Sequence, residues 1–542
     1  MAIRPLPGFD ATYEWLGVGS LGLAGISSGE ALVFGTPPRV LVRADDACRK
    51  DRSRSTGSGP SPKCTNRWHG RGGEVTRLPP AFARALPLMR RPGGSPHLVL
   101  AVGAAVVLAL EALRGSATLG TSSWWPFTQA LVAGVTLVAV WGPRDQLRLG
   151  PIVAIGLAFH LVWIGLHLHL GVTGDHDPVD VYSSQGNALL TGDYPRSEYP
   201  PGAVAFFALA TWLGGGAART AHAFLMVPFQ IVCIVGIWSL RTRWTPWLTA
   251  CVALWPLNAF YWEFRFDLLP TAALLAGLVL ARRGLWYEAG FVLGLGAVVK
   301  WTPGLSCIVL VLWLLRWRRF EKAAVTLVGF SIPVLLVNVP VLLWKPSELI
   351  AAYTTQNART VTAESFVYLP LHLFWSAEPG FWYFGGADVS PHANRIAVWF
   401  QVVAVLAVIA LAALARTRSS AVALAGLAPA VFFLTNRIFS PQFFVLVLAA
   451  VLAATALVVR RRSELFALAG ACAVSTTANT ILFQSLLGMH PVADVPGWTL
   501  LSAASYLPVI AAAIWLVVRA ELQTVETPVV AQPPIGVPAP ST

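Results

Sequence analysis

The sequence predicts an all-α chain, a polytopic transmembrane helical bundle of about 14 spans. Three observations carry that prediction. Of the 542 residues, 56% are hydrophobic and only 12% are charged, and mean hydropathy is +0.63. Runs of about twenty apolar residues recur along the chain, the length a helix needs to cross a bilayer. The runs are continuous rather than alternating, which excludes the strands of a membrane barrel, and in lipid a helix satisfies its own backbone.

The chain divides into three parts. Residues 1–96 form a basic tail, and its section 37–96 is rich in Arg, Gly, Pro and Ser without hydrophobic periodicity, a composition that predicts disorder. The glycine-rich stretch 15–35 contains Glu30 and is not read as a span. Met89 precedes Arg90, Arg91 and the first strong apolar run. It reads as the natural start of translation, which would make the tail a mis-assigned start. The transmembrane domain is expected over 97–519, followed by a disordered C-terminal tail, 520–542.

The expected spans are 97–113, 124–141, 151–170, 220–240, 244–262, 267–282, 286–301, 303–316, 323–344, 396–414, 421–435, 442–459, 464–486 and 499–518. Net charge is +13, carried by the tail and by short arginine clusters between apolar runs. That distribution points to membrane orientation rather than to nucleic acid. Arg144/Arg148, Arg241/Arg243, Arg282/Arg283, Arg316/Arg318/Arg319, Arg416/Arg418, Arg460–Arg462 and Arg519 are expected on the cytoplasmic side, with both termini. The loops 171–219, 263–266, 345–395, 436–441 and 487–498 then face outward, at the plasma membrane. Residues 201–214 are apolar, but as helix they reach only ~21 Å. They are read as a re-entrant or interfacial helix that returns to the outer face.

The outer loop 171–202 carries Asp175, Asp177, Asp180, Asp193 and Glu198 in a chain otherwise poor in acids. Pro178 and Gly192 bracket an expected short helix, 179–191, whose N-terminus would hold Asp180 ionised. Asp175 and Asp177 compete with Asp180 as proton acceptor. A divalent metal on Asp175 and Asp177 is conceivable but not expected, so no cofactor is assigned. Lys300 lies between short apolar runs before Pro303, and Arg437 lies at a second helix break. Both read as phosphate ligands, joined by Arg265. The six cysteines show no CxxC spacing and read as apolar filler. The outer segment 345–395 mixes Lys345, Arg359, His372, Trp375 and Tyr383 with amides, a composition suited to sugar or headgroup contact.

Asp180-Val-Tyr, Gly192-Asp-Tyr and Glu198-Tyr-Pro-Pro-Gly together resemble the first outer loop of GT-C membrane glycosyltransferases. The likeness is closest to the family 87 type, the polyprenol-phosphate-mannose-dependent α-mannosyltransferases of actinobacteria. Arg265-Phe-Asp-Leu-Leu-Pro, Gly-Leu-Gly-Ala-Val-Val-Lys300-Trp-Thr-Pro and Asn436-Arg-Ile-Phe-Ser-Pro-Gln442 are similar to later motifs of that family. The resemblance covers roughly residues 150–490. It departs in having two extra spans at the front, Val181, and Arg265-Phe-Asp267 where the family often carries a Gly/Gln-Asn pair. The resemblance implies inverting transfer of a sugar, here mannose, from a polyprenyl-phosphate donor to a glycolipid or glycan acceptor. The transfer would take place at the outer leaflet without nucleotide sugar. It places the general base on Asp180. Tyr182, Tyr199, Asp267, Gln442 and His372 are the expected substrate contacts. The competing readings are a transporter or lipid flippase, and a ligase that joins finished glycans; neither the absence of a clear internal repeat nor the gathering of charges at one face favours a transporter.

Overall fold

In the computed structural model, residues 95–115, 125–169, 181–255, 265–355, 359, 361–362, 365–375, 391–482 and 497–524 are described. They all belong to one compact unit, Leu78–Thr542. The expected N-terminal tail, most of the C-terminal tail and the alternative start at Met89 lie outside them. Among the described residues the regular structure is helix, with no strand.

In chain order the helices are α1 (Pro96–Gly115), α2 (Trp125–Ala139), α3 (Leu149–His169), α4 (Ser183–Leu190), α5 (Pro201–Gly214) and α6 (Ala218–Ser239). Next come α7 (Thr245–Leu254), α8 (Leu268–Arg283), α9 (Trp286–Val299), α10 (Pro303–Arg316), α11 (Phe320–Trp344) and α12 (Pro346–Thr354). The last are α13 (Tyr368–Trp375), α14 (Pro391–Leu414), α15 (Arg418–Thr435), α16 (Phe444–Val458), α17 (Arg462–Thr480) and α18 (Trp498–Glu521). Each of the fourteen expected spans falls on one of these helices. By length and apolar composition, however, 8 are long enough to cross a membrane. The count of fourteen is therefore not reached by that measure. α7 has 10 residues and rises ~15 Å, and α9 and α10 have 14 each and rise ~21 Å, short of a ~30 Å core.

The longest candidate, Pro201–Ser239, is not one straight span. Gly215 takes φ +49 between α5 and α6. Phe206 of α5 reaches His222 at 5.5 Å and Phe229 at 6.3 Å, both on α6. Residues so far apart in sequence would be some 24–35 Å apart on a continuous helix, so α5 folds back on α6 as a hairpin. That geometry suits a short helix that returns to the face it left.

Hydroxyl groups inside the helices stay compatible with an apolar setting because they bond carbonyls of their own helix. Thr249 donates to Thr245 O, Thr326 to Lys322 O, Thr455 to Val451 O and Thr476 to Cys472 O, all at 2.6–2.7 Å. The centre of the bundle is α15 and α16, whose span windows are each 83% buried, whereas those of α11 and α14 are 17% and 22% buried and form the rim. The rim shows large apolar side chains outward, such as Leu336, Leu343, Trp399 and Val403. A surface of that kind suits lipid rather than water.

Close packing at one glycine seam sets the frame of the site. A Cβ at Gly290 or Gly294 of α9 would lie 2.0 Å and 2.5 Å from carbonyl oxygens of α11, those of Thr326 and Phe330. Small residues four apart let two helix backbones touch. At the front of the chain, α1, α2 and α3 share one buried polar knot. Gln129 donates to Glu111 at 2.6 Å, and His167 bonds the other Glu111 oxygen at 2.9 Å.

The arginine clusters gather at one end of the bundle. Arg282 donates to Leu240 O and to Ser419 Oγ, and Arg418 donates to Arg282 O. Arg144 and Arg462 stand over the Trp141 ring, and Arg243 over Trp244. The α8–α9 hairpin then fixes what lies at the other end.

Candidate active site

α8 and α9 run antiparallel with arms of 16 and 14 residues, closed by Gly284 at φ +84. A left-handed glycine ends the first helix, and the arms return Lys300 to the level of Asp267. Asp267 directly precedes the N-terminus of α8, and Lys300 directly follows the C-terminus of α9. Each charge thus stands at the helix end whose dipole favours it. The two form an ion pair, Lys300 Nζ to Asp267 Oδ1. Asp267 is 2% exposed, and its Oδ2 is buried without a hydrogen-bond partner.

Lys300 is also caged by rings. Its Nζ lies 3.9 Å from the Phe443 centroid, 5.3 Å from Phe433 and 5.4 Å from Phe266. Cation–π contacts of this kind hold an ammonium in an apolar setting. Arg265 and Glu198 are close enough to act on its charge. The Lys300 ammonium is therefore one member of a compact charge cluster, not the isolated point charge that the sequence suggests.

Aromatic packing joins the first loop to this cluster. Tyr182 stacks on Phe207 of α5 at 4.2 Å and meets Tyr199 at 5.8 Å and Phe266 at 5.7 Å. Arg265 Nη1 approaches the Tyr182 hydroxyl at 3.5 Å, a long contact. Two glycines permit the close approach. A Cβ at Gly186 would lie 2.5 Å from Phe207 O, and one at Gly202 would lie 2.6 Å from Val298 O, just before Lys300. The Glu198-Tyr-Pro-Pro-Gly stretch is thereby explained: Pro201 starts α5, and Gly202 lets it touch the end of α9. Of the expected helix 179–191, Ser183–Leu190 form α4, ending before Gly192 at φ +88, and residues 179–180 lie outside the described residues.

Ion pairs tether the same loop to Lys345 and Arg359. Glu198 bonds Arg359 at 2.5 Å, and Asp193 pairs with Lys345 at 3.0 Å. Hydrogen bonding from Lys345, and then its charge, holds the Asp193 carboxyl below the usual range. Burial, with Glu198 next to it, raises the Tyr199 phenol well above its ordinary value, so it stays protonated and able to donate.

The expected site residues thus fall into four groups. Tyr182, Tyr199, Arg265, Asp267 and Lys300 come together. Arg437 and Gln442 lie on the loop between α15 and α16, whose flanking Phe433 and Phe443 contact Lys300. On that loop Arg437 donates to Asn394 of α14 at 2.8 Å, and Ser440 donates to Gln442. His372 packs on Tyr368 at 5.8 Å and Trp498 at 5.0 Å. Asp175, Asp177 and Asp180 lie outside the described residues. Among the described residues no three His, Cys, Asp or Glu side chains group as metal ligands would. Sequence reasoning missed Phe266, Phe433 and Phe443, although each adjoins a motif or helix break already singled out.

Residues 198–441 match the model of glycosyltransferase family 87. Over this stretch, a little under half of the chain, the protein is similar to the family 87 glycosyltransferases, which supports a glycosyltransferase. No curated protein and no solved structure matches it. The matched stretch includes Glu198, Tyr199, Arg265, Asp267, Lys300 and Arg437, and with the long apolar helices it supports a membrane glycosyltransferase. The helices α1–α4 and α16–α18 lie beyond it.

Proposed function

We propose that this glycosyltransferase moves mannose from a polyprenyl-phosphate donor to a lipid or cell-envelope glycan acceptor, with inversion, on the outer face of the plasma membrane. The transferase unit on this reading is 97–519. Asp180, two residues ahead of Tyr182, takes the proton of the acceptor hydroxyl; Asp175 and Asp177 are the other candidates for that role. The acceptor oxygen bonds the anomeric carbon as its bond to the phosphate oxygen breaks. Polyprenyl phosphate leaves with the electron pair, so no acid is needed to protonate it. Lys300 and Arg265, with Arg437, receive the phosphate, and no metal or other cofactor takes part. Tyr182, Tyr199, Asp267, Gln442 and His372 contact the substrates.

The observation that supports this reading is the meeting of Lys300, Asp267, Arg265, Tyr182 and Tyr199 at the bundle end opposite the arginine clusters. Arginine-rich ends face the cytoplasm by the usual bias, which puts the cluster outside. The test is purified protein given radiolabelled polyprenyl-phosphate mannose and lipid acceptors. Wild type should form a new glycosidic bond, and Asp180→Asn should lose at least ~10²-fold of the rate while still binding donor. Full activity in Asp180→Asn would pass the role to Asp175 or Asp177. Movement of donor across the bilayer without any new bond would instead make the protein a flippase.

A further inference from the structure

A cavity of about 580 Å³ runs down the bundle between α2, α7, α16 and α17. Its size lies within the ~300–1,000 Å³ of ligand sites. At the top it is lined by Leu268 and Thr271 of α8, and Leu268 directly follows the partner of Lys300. At the bottom it is lined by Leu137, Trp247 and Phe466, at the arginine end. There Trp247 and Phe466 close on Trp141 at 5.3 Å and 4.7 Å, and the Trp247 indole donates to Leu137 O at 2.9 Å, making a floor. From Phe466 to Ile481 along α17 the slot is about 22 Å deep.

The slot also has a side door. Leu131 and Val138 of α2 and Val474 of α17 line it and are 56%, 61% and 51% exposed, on a bundle whose exterior is apolar. Gly134 and Gly470 stand on facing walls, and a Cβ at either would meet nothing within 4 Å. The hydroxyls of Thr271 and Thr476 are turned to carbonyls of their own helices, which leaves the walls without polar demand.

We propose that this slot holds one acyl chain of the lipid that accepts the sugar; the inference rests on the reading of a lipid acceptor. Apolar walls with a lateral opening suit an alkyl chain entering from the bilayer. An acyl chain spans one leaflet, half of a ~30 Å core. A slot about 22 Å deep with a closed floor takes that length whole, with the headgroup at Asp267; a much longer polyprenyl chain would meet the floor. Most of the wall comes from α2, α16 and α17, outside the family 87 stretch 198–441, while that stretch supplies the charged pocket. The slot therefore serves the substrate that the shared stretch does not specify.

The test fills the slot where there is room. Gly134→Leu and Gly470→Leu are compared with wild type and with Gly134→Ala, which adds a single methyl. The probe is a mannosyl diacylglycerol with a diazirine at one acyl terminus, photolysed and mapped by mass spectrometry. Wild type should cross-link on the lower walls, at residues such as Leu452 or Phe466. Each leucine variant should lose that adduct, and its KM for the long-chain acceptor should rise about tenfold or more, the loss expected when a few buried methylenes are displaced. KM for the donor and for a short-chain acceptor should stay within about twofold. Retained adducts in the filled variants would overturn the proposal. So would a rise in donor KM in place of acceptor KM, which would give the slot to the prenyl chain. So too would labelling by a diazirine phospholipid that the acceptor does not compete away, which would mark a structural lipid. If wild type cross-links but transfers nothing, the slot stands and the proposed reaction fails.

Discussion

Lys300 is bound at rest to an anion of its own chain, and that determines how its variants behave. Removing the ammonium leaves the buried Asp267 carboxylate unopposed, whereas neutralising Asp267 leaves the cation free to meet phosphate. On the proposed reading Lys300→Ala should raise donor KM roughly thirtyfold, the equivalent of ~2 kcal/mol. Asp267→Asn should leave donor KM unchanged or lower it while reducing kcat. Steady-state kinetics with donor varied separates these, and equal rises in donor KM for both would remove the phosphate role from Lys300. Much of this cluster is legible in the sequence: lone charges in apolar runs are conspicuous, and hairpin arms of similar length return 300 to 267. The phenylalanine cage is not, since aromatic rings in a chain this apolar offer no contrast. The pairing itself also escapes a linear reading, because Lys300 and a phosphate ligand look the same until Asp267 is seen beside it.

At the level of helices, the contact between α9 and α11 is the tightest described, and α9 ends at the site. Gly290→Ala would drive a methyl into the Thr326 carbonyl at 2.0 Å, so the helices must separate. The expected cost is about 1–3 kcal/mol, read as a lower unfolding temperature in detergent, with donor KM rising as Lys300 shifts. Gly134→Ala is the contrast: a mid-helix glycine facing open space should gain stability, by roughly 0.5–1 kcal/mol. No change in either variant would show that these backbone contacts do not hold the bundle together. Glu111→Leu removes the hydrogen-bond partner shared by Gln129 and His167 and should cost about 1–3 kcal/mol. The helices themselves are readable because length and hydropathy report directly on burial in lipid. Their seams are not, because a glycine that touches a neighbouring backbone looks like one that faces a void until the neighbour is placed. The short length of 201–214 suggested a re-entrant or interfacial helix; its packing against α6 is a feature of the structure, and Gly215 is the residue that makes the turn.

Across the whole molecule the two ends differ in kind, one held by arginines and tryptophans, the other by the Lys300–Asp267 cluster and the loops around it. The bias of basic residues predicts a definite orientation. Gly216→Cys, at the exposed turn between α5 and α6, should react in intact cells with a membrane-impermeant maleimide, and Arg319→Cys should react only after lysis. The reverse pattern would place the cluster inside the cell and end the outer-face reading. The polarity of the bundle was visible in the spacing of arginine clusters, whereas the slot arises only from how α2 and α17 meet. The knot of Glu111, Gln129 and His167 has one more consequence. It fastens the first two helices, one of them a wall of the slot, to a third that also precedes the family 87 stretch. Trimming the chain to the matched residues would not yield a minimal catalyst. It would strip away that wall together with α16 and α17, and no chamber would remain.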